Sequence, residues 1–212
     1  PLVESEAYDP DMLVDIVNIF LDANNETYAR KWLDILFEHA DKSQTLVLET
    51  AADFFMTFNH YQQAIDTYNQ LLDIDPYQLD YWLNLTQAYL ANEQTEQAFN
   101  AIDFALTVKE KHSKALELKG YCYLQGNNPE EAIQYLEQAL PDSQAPANLY
   151  QILEACYTSL GKDEQSIIYL NKLLDDPEIP DFERAIYYQK LAARHLQLSH
   201  FDSCLVCALQ GL

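Results

Sequence analysis

Apolar residues recur along this chain at the spacing of an amphipathic helix. In residues 61–76, YQQAIDTYNQLLDIDP, the small residue Ala64 begins an apolar face, and the helical pattern ends at Asp75-Pro76. The other residues of this face are Ile65, Tyr68, Leu71 and Leu72. Residues three and four apart share one face of an α-helix, and proline cannot continue a helix. The segment therefore predicts one helix with a single apolar face.

The same pattern returns at a fixed interval. Ala64, Ala98 and Ala132 are 34 positions apart. A second series with this spacing consists of the aromatic residues Phe55, Tyr89, Tyr123 and Tyr157. A period of this length is typical of repeat proteins, in which each unit stacks on its neighbour and there is no single central core. Each period contains two helical patterns, so the chain is predicted to be all-α.

The helix pairs divide the chain into units. Residues 1–9, PLVESEAYD, lack a helical period and are interpreted as an acidic leader. The predicted units cover about residues 10–44, 45–78, 79–112, 113–146, 147–184 and 185–212, and together they form one domain over 10–212. Because the chain begins at Pro1 and its last unit is cut short, we expect it to be part of a longer protein.

The pattern W/Y-x-x-L-G/A/S-x-x-Y, followed by A-x-x-x-F/L-x-x-A and a proline, resembles the tetratricopeptide repeat (TPR) family. The matching residues are Trp82, Leu85, Tyr89, Ala98, Ile102 and Ala105, then Leu116, Gly120, Tyr123, Ala132, Leu136 and Ala139, and also Ala64, Tyr68, Leu71 and Pro76. The resemblance covers about residues 10–212 and implies a right-handed superhelical solenoid of stacked antiparallel helix pairs. HEAT and armadillo repeats are the alternative, but their units are about 40 residues or longer.

The charge of the chain restricts its partners. The 212 residues include 34 acidic and 12 basic side chains, which gives a net charge of −22. Such a charge repels nucleic acids and anionic membrane surfaces and attracts basic partners. The alternative is that the acidic residues only keep the chain in solution. No stretch approaches the ~18 apolar residues of a membrane span, so no membrane insertion is predicted for this segment.

Motifs for catalysis or cofactor binding are absent from the sequence. It contains no nucleophile elbow, phosphate loop, dinucleotide fingerprint or zincin motif, so no enzyme activity and no cofactor are predicted. Zinc-binding residue types do cluster near the C-terminus, at His195, His200, Cys204 and Cys207. His195 and Cys204 take the aromatic and small positions of the repeat, however, so packing explains them and no metal site is predicted.

The cysteines favour a reducing compartment. Four cysteines in a chain of this length are too few for a disulfide framework. Cys122 and Cys156 hold equivalent positions in neighbouring units, which places them about a helix-packing distance, ~10 Å, apart and too far for a disulfide. A cytoplasmic location is therefore expected, although a targeting signal could lie outside these residues.

The resemblance also implies which residues face a partner. In TPR superhelices the first helix of each pair lines the concave face, at positions 2, 5, 6, 9, 12 and 13 of the unit. The partner-binding residues implied in this way are Asp15, Asn18, Asp22, Glu49, Asp53, Asp80, Asn84, Gln87, Glu117 and Tyr121. The same face is predicted to include Val14, Leu21, Thr50, Met56, Thr57, Leu83, Leu118, Leu124, Gln151, Ile152, Ala155, Ser159, Ile186 and Lys190. Its N-terminal half is acidic, and its C-terminal half is rich in amides and nearly neutral.

A clamp for the C-terminal carboxylates of heat-shock chaperones is not expected. TPR proteins that hold these carboxylates use Lys, Asn, Asn, Lys and Arg across three units. The corresponding residues here are Glu49, Asp53, Asn84, Lys114 and Leu118. Only Asn84 and Lys114 fit, and the two carboxylates would repel an acidic tail.

The function predicted from these features is a non-enzymatic scaffold that binds a basic or amphipathic segment of a protein partner in its concave groove. The alternative is a structural or regulatory arm of a larger enzyme or envelope-associated protein whose active part lies elsewhere. The C-terminal stretch FDSCLVCALQGL is apolar around much of its circumference, at Leu205, Val206, Leu209 and Leu212. Either further helices cover this stretch, or it associates with a second copy of the chain.

Overall fold

The structure, a computed structural model, describes residues 9–41, 44–177 and 179–211. Over these residues the chain forms α-helices and one short 3-10 helix, and it contains no β-strand. The helices are α1 (Pro10–Asp22), α2 (Glu26–His39), α3 (Thr45–Thr57), α4 (Tyr61–Ile74), α5 (Leu79–Ala91), α6 (Thr95–Val108), α7 (Ser113–Gln125), α8 (Pro129–Ala139), α9 (Pro146–Ser159), α10 (Asp163–Leu174), α11 (Asp181–Gln197) and α12 (Phe201–Gln210). The predicted leader lies almost wholly outside the described residues.

The helices form two compact units, Pro1–Glu110 and Lys111–Leu212. In the first unit α1 packs on α2, α3 on α4 and α5 on α6; in the second unit α7 packs on α8, α9 on α10 and α11 on α12. Within each unit, neighbouring pairs pack on one another. The predicted all-α fold of stacked helix pairs is confirmed. A single domain over 10–212 stays a prediction.

The helix starts follow the predicted repeat closely. Helices α1, α3, α5 and α7 begin at residues 10, 45, 79 and 113, which are the predicted first residues of their units. Helix α11 begins at Asp181, four residues before the predicted start of the last unit. The cause is Pro180, which precedes the helix in extended conformation with φ −59° and ψ 146°. The aliphatic pattern from Ala185 onward therefore marks the second turn of α11 and not its start.

Each helix pair is closed by the same turn. One residue per turn has positive φ, and the series is Asn24, Asn59, Glu93, Asn127, Gly161 and Ser199. Asparagine and glycine favour this left-handed conformation, which ends a helix. The amide of the next residue donates to a carbonyl five residues earlier, and these acceptors are Phe20, Phe55, Tyr89, Tyr123, Tyr157 and His195, at 2.7–2.9 Å. The predicted aromatic series therefore marks the last turn of each first helix.

Small residues let the two helices of a pair approach. Ala64, Ala98 and Ala132 are fully buried, as is Ser166 at the equivalent position of the next pair. On the facing helix, a Cβ at Gly120 would lie only 2.6 Å from the side chain of Leu136. Close packing of this kind sets the distance between the helices of a pair.

A buried glutamate replaces a small residue in the second unit. Ala52, Thr86, Gly120 and Glu154 are 34 positions apart, and Glu154 is 3% exposed. Its carboxylate accepts hydrogen bonds from Thr158 Oγ1 at 3.0 Å and Ser166 Oγ at 3.2 Å. It also forms an ion pair with Lys190 Nζ at 2.8 Å. A buried carboxylate is tolerated only when such partners are present. The contact ties α9 to α11.

Helix α12 leaves an apolar surface exposed. Phe201, Leu205, Val206 and Leu209 are 54–66% exposed, whereas Leu212 lies outside the described residues. The two predicted ways of covering this surface, by further helices or by a second copy of the chain, stay predictions. Among the described residues, no helix combines the length and hydropathy that crossing a membrane requires.

We expect Lys190→Ala to destabilise the fold, because it leaves the Glu154 carboxylate buried without its cation. Lys190 is about half exposed, so solvent screening reduces the loss in unfolding free energy to about 1–2 kcal/mol. Glu154→Ala/Lys190→Ala should recover much of this loss, because Ala52 shows that alanine fits the position. Urea denaturation of both single variants and the double variant measures the coupling. Additive effects would contradict the proposed pairing.

Candidate functional site

A cavity of about 500 Å³ opens between α1 and α3 in the first unit. It is lined by Asn18, Leu21, Asp22, Asp53, Met56 and Thr57. All six hold positions at which the TPR resemblance predicts the concave face. Three of them, Asn18, Asp22 and Asp53, are among the predicted partner-binding residues. The structure therefore brings two carboxylates, an amide and a hydroxyl together with two apolar side chains.

The surroundings of Asp53 shift the pKa of its carboxylate. Its side chain is open to solvent, but it lies in a concavity with protein on several sides. Burial by these surroundings, together with the negative charge of Glu49, raises the pKa of Asp53. Both influences disfavour the ionised form. A positive charge nearby would oppose both influences, because it favours the ionised form.

Glu49 differs from Asp53 because it already has a partner inside the fold. The Tyr81 hydroxyl, on α5, donates a hydrogen bond to Glu49 Oε1 at 2.5 Å. Burial and this carboxylate raise the pKa of Tyr81 to about 12, so the hydroxyl keeps its proton at neutral pH. Glu49 is half-buried and links the second helix pair to the third.

Two buried tyrosines, Tyr68 and Tyr81, contact the predicted site residues from beneath the surface. Tyr81 was not assigned to the concave face, and Tyr68 was assigned only to the packing face of α4. Burial and the charge of Asp53 raise the pKa of Tyr68, and a hydrogen bond with Asn84 lowers it. Asn84 Oδ1 also accepts from Gln87 Nε2 at 3.4 Å. Tyr68, Asn84 and Gln87 therefore form a hydrogen-bonded group that joins α4 and α5.

The remaining predicted acids of the first unit lie apart from this cavity. Asp15 on α1 and Asp80 in the first turn of α5 are exposed and do not line it.

Four further residues predicted at the concave face are buried, so that assignment is wrong for them: Val14, Thr50, Leu83 and Leu118 are 2–5% exposed. Positions 5 and 6 of a unit therefore alternate between surface and core, depending on the helix packed against them.

In the second unit, the predicted site residues are paired with one another. The Tyr121 hydroxyl donates to Glu117 Oε1 at 2.7 Å, and Lys114 Nζ lies 3.1 Å from the same oxygen. Glu117 is consequently neutralised within its own helix.

The two units also differ in charge. Residues 1–110 include 20 acidic and 4 basic side chains, whereas residues 111–212 include 14 and 8. The first unit contains the acidic half of the predicted groove, and it has fewer basic side chains to pair with its carboxylates. The electrostatic potential of the first unit is therefore more negative than that of the second.

The zinc-binding residue types near the C-terminus, at His195, His200, Cys204 and Cys207, lie on α11 and α12 and in the turn between them. The rings of His195 and His200 are 5.8 Å apart, and the four cysteines form no disulfide. Within the described part of the chain, no three His, Cys, Asp or Glu side chains are placed to share a metal ion. Burial and the neighbouring His200 lower the pKa of His195, which keeps this imidazole neutral near pH 7.

Comparisons with known proteins support the fold assignment. Residues 83–148 match the family model described as tetratricopeptide repeat. No curated protein matches the chain in sequence.

Solved structures match both units. PilW, described as a widely conserved type IV pilus biogenesis factor, is 14% identical with a TM-score of 0.74, and the match covers 95% of this chain and 91% of that one. PilF of Pseudomonas aeruginosa is 17% identical with a TM-score of 0.72, covering 95% and 89%. MamA is 19% identical with a TM-score of 0.68, covering 81% and 91%. At these identities the likeness shows the fold and carries no partner with it.

The family match lies in the middle of the chain, and the helix pairs on either side repeat the same turn and the same small-residue contacts. The resemblance predicted from the sequence is therefore confirmed: residues 83–148 are similar to tetratricopeptide repeats, and the helix pairs on either side share the fold of solved tetratricopeptide repeat structures.

Proposed function

We propose that this chain is a non-enzymatic scaffold whose first unit binds a basic segment of a protein partner. The observation that carries the proposal is the cavity between α1 and α3. It combines the carboxylates of Asp22 and Asp53 with the apolar side chains of Leu21 and Met56. Lysine and arginine have the matching chemistry, because an apolar stem ends in a cation.

The cavity is suited to a cation by its electrostatics as well as by its composition. Burial and Glu49 raise the pKa of Asp53, so the ionised carboxylate is disfavoured in the unbound protein. The positive charge of a bound ammonium or guanidinium group would offset this penalty. Asn18 and Thr57 could bond the partner's backbone. The basic segment would thus be held by charge, by stem contacts and by hydrogen bonds together.

Location and assembly are further parts of the proposal. Cytoplasmic placement rests on four cysteines that form no disulfide. The match to PilW and PilF leaves open the alternative of an arm that serves an envelope-associated assembly. Association of two copies through α12 would have to overcome repulsion between chains that each carry a net charge of −22.

Removing the two cavity carboxylates should weaken binding of a basic peptide. The probe is a fluorescently labelled amphipathic peptide built from leucine and lysine, titrated at about 0.15 M salt so that long-range attraction is screened. For Asp22→Asn/Asp53→Asn we expect the Kd to rise about tenfold, since two close charge pairs are lost. Fluorescence anisotropy measures the change.

The matched control is Asp34→Asn/Asp73→Asn. It removes the same charge from exposed positions on α2 and α4 that lie outside the cavity, and we expect its Kd to rise less than about twofold. Equal weakening in both double variants would mean that the peptide responds only to net charge, and the proposed site would be wrong.

The Asp53 carboxylate should also reduce stability at neutral pH. Its pKa is higher in the folded chain than in the unfolded chain, so stability falls as pH rises from the ordinary aspartate pKa through the raised one. Asp53→Asn is therefore expected to increase the unfolding free energy at pH 7, by less than about 1 kcal/mol because the group is exposed. The gain should disappear near pH 4. Urea denaturation at both pH values measures it, with Asp34→Asn as the control for net charge. A less stable Asn variant at pH 7 would contradict the assigned environment.

A further inference from the structure

A second cavity, of about 370 Å³, lies between α7 and α9 in the second unit. Its lining residues are Leu124, Asn127, Pro129, Gln151, Ile152, Ala155, Cys156 and Ser159. Five of them, Leu124, Gln151, Ile152, Ala155 and Ser159, hold positions at which the TPR resemblance predicts the concave face. The cavity therefore shares positions 9, 12 and 13 of the repeat with the acidic cavity of the first unit, and it adds positions 5 and 6.

The chemistry of this second cavity is different. Among the described residues no charged side chain lines it, although the chain as a whole has a net charge of −22. Its walls are aliphatic at Leu124 and Ile152, and burial raises the pKa of the Cys156 thiol, so this thiol stays neutral at pH 7. A charged side chain entering the cavity would lose hydration without meeting a counter-ion.

Two charged side chains near the cavity, Lys190 and Glu183, have partners inside the fold. Lys190 Nζ lies 2.8 Å from the buried carboxylate of Glu154, and the Tyr187 hydroxyl interacts with Glu183 at 3.4 Å. Glu183, Tyr187 and Lys190 line a neighbouring cavity of about 360 Å³ that shares Gln151. On this side an entering segment would therefore meet the Lys190 ion pair and the Glu183 carboxylate, whose partner is a neutral hydroxyl.

Gln151 gives this surface a fixed hydrogen-bonding group. Its Nε2 donates to the Tyr187 hydroxyl at 2.7 Å, which holds the amide in place between α9 and α11. Its carbonyl oxygen is then directed by the same bond and suits a backbone N–H of a bound segment. A preorganised amide lowers the entropic penalty of binding.

We propose that the cavity between α7 and α9 is a second subsite, which takes an aliphatic side chain on an uncharged stretch of the partner segment. The aliphatic walls contact the side chain, and the amides of Gln151 and Asn127 bond the backbone beside it. This subsite rests on the proposed role of the chain as a peptide-binding scaffold. It adds a preference for uncharged residues that the acidic cavity does not have.

The test uses methyl NMR of the full chain with labelled isoleucine methyl groups. The probe is N-acetyl-leucinamide, an uncharged molecule with one aliphatic side chain and two amides. We expect the Ile152 methyl signal to shift saturably with a millimolar Kd, which is ordinary for a ligand of this size. Isoleucines of the first unit, such as Ile19 and Ile74, should not follow the same curve. N-acetyl-glycinamide and N-acetyl-lysinamide should shift Ile152 with a Kd at least about fivefold weaker.

Ala155→Leu fills the cavity from an exposed helix position, and it should weaken the leucinamide effect on Ile152 at least about tenfold. Ala91→Leu, the matched control at an exposed position of α5, should leave it unchanged. Circular dichroism establishes that both variants stay folded; if Ala155→Leu unfolds, Ala155→Gln fills the same space. The proposal is overturned if Ile152 does not shift, if lysinamide shifts it equally, or if the filled variant responds like the parent. None of these outcomes bears on Asp22 and Asp53, so the acidic site is judged separately.

Discussion

The close approach of two helices at a small residue is the contact on which the rest of this structure depends. Ala64, Ala98, Ala132 and Ser166 are fully buried at this contact in four successive pairs. The second helix of each pair buries its apolar face at this contact. The first helix of the pair lines the two cavities with its opposite face. The left-handed turn residue after each first helix fixes where the second one starts. Position along the repeat therefore decides which side chains are available to a partner.

This arrangement separates stability from recognition. The buried small residues and the hydrogen-bonded turns hold each pair together, and they are the same from pair to pair. The available side chains differ: carboxylates at Asp22 and Asp53 in the first unit, aliphatic and amide groups around Ile152 in the second. Asp53 illustrates the consequence, because its pKa is raised and its charge opposes folding near neutral pH. Groups that reduce stability and have shifted pKa values are often found at functional sites.

Most of the fold could be predicted from the sequence, since the repeat acts at short range. The period located the helix pairs, and the structure closes their turns with left-handed residues such as Asn59 and Asn127. Contacts between pairs could not be predicted in this way. Glu154 appears in the sequence as one of many acids, yet it is buried beneath Lys190, 36 positions away. Glu49 and Asp53 are equivalent acids in the sequence, but only the structure shows that Tyr81 of the next pair donates a hydrogen bond to Glu49. The burial of Val14 and Leu83 likewise depends on neighbouring helices that the repeat alone does not specify.

The central claim is that a cationic side chain of a partner occupies the cavity between α1 and α3. Carbodiimide cross-linking tests it most directly, because the reagent joins a lysine amine to a carboxylate only when the two are in contact. The bound leucine–lysine peptide would be cross-linked to the protein, and the joined residues located by peptide mass spectrometry. The account predicts that the linked carboxylates are those of Asp22 and Asp53. Cross-links spread over outward acids such as Asp34 and Asp73, with none at Asp22 or Asp53, would contradict it.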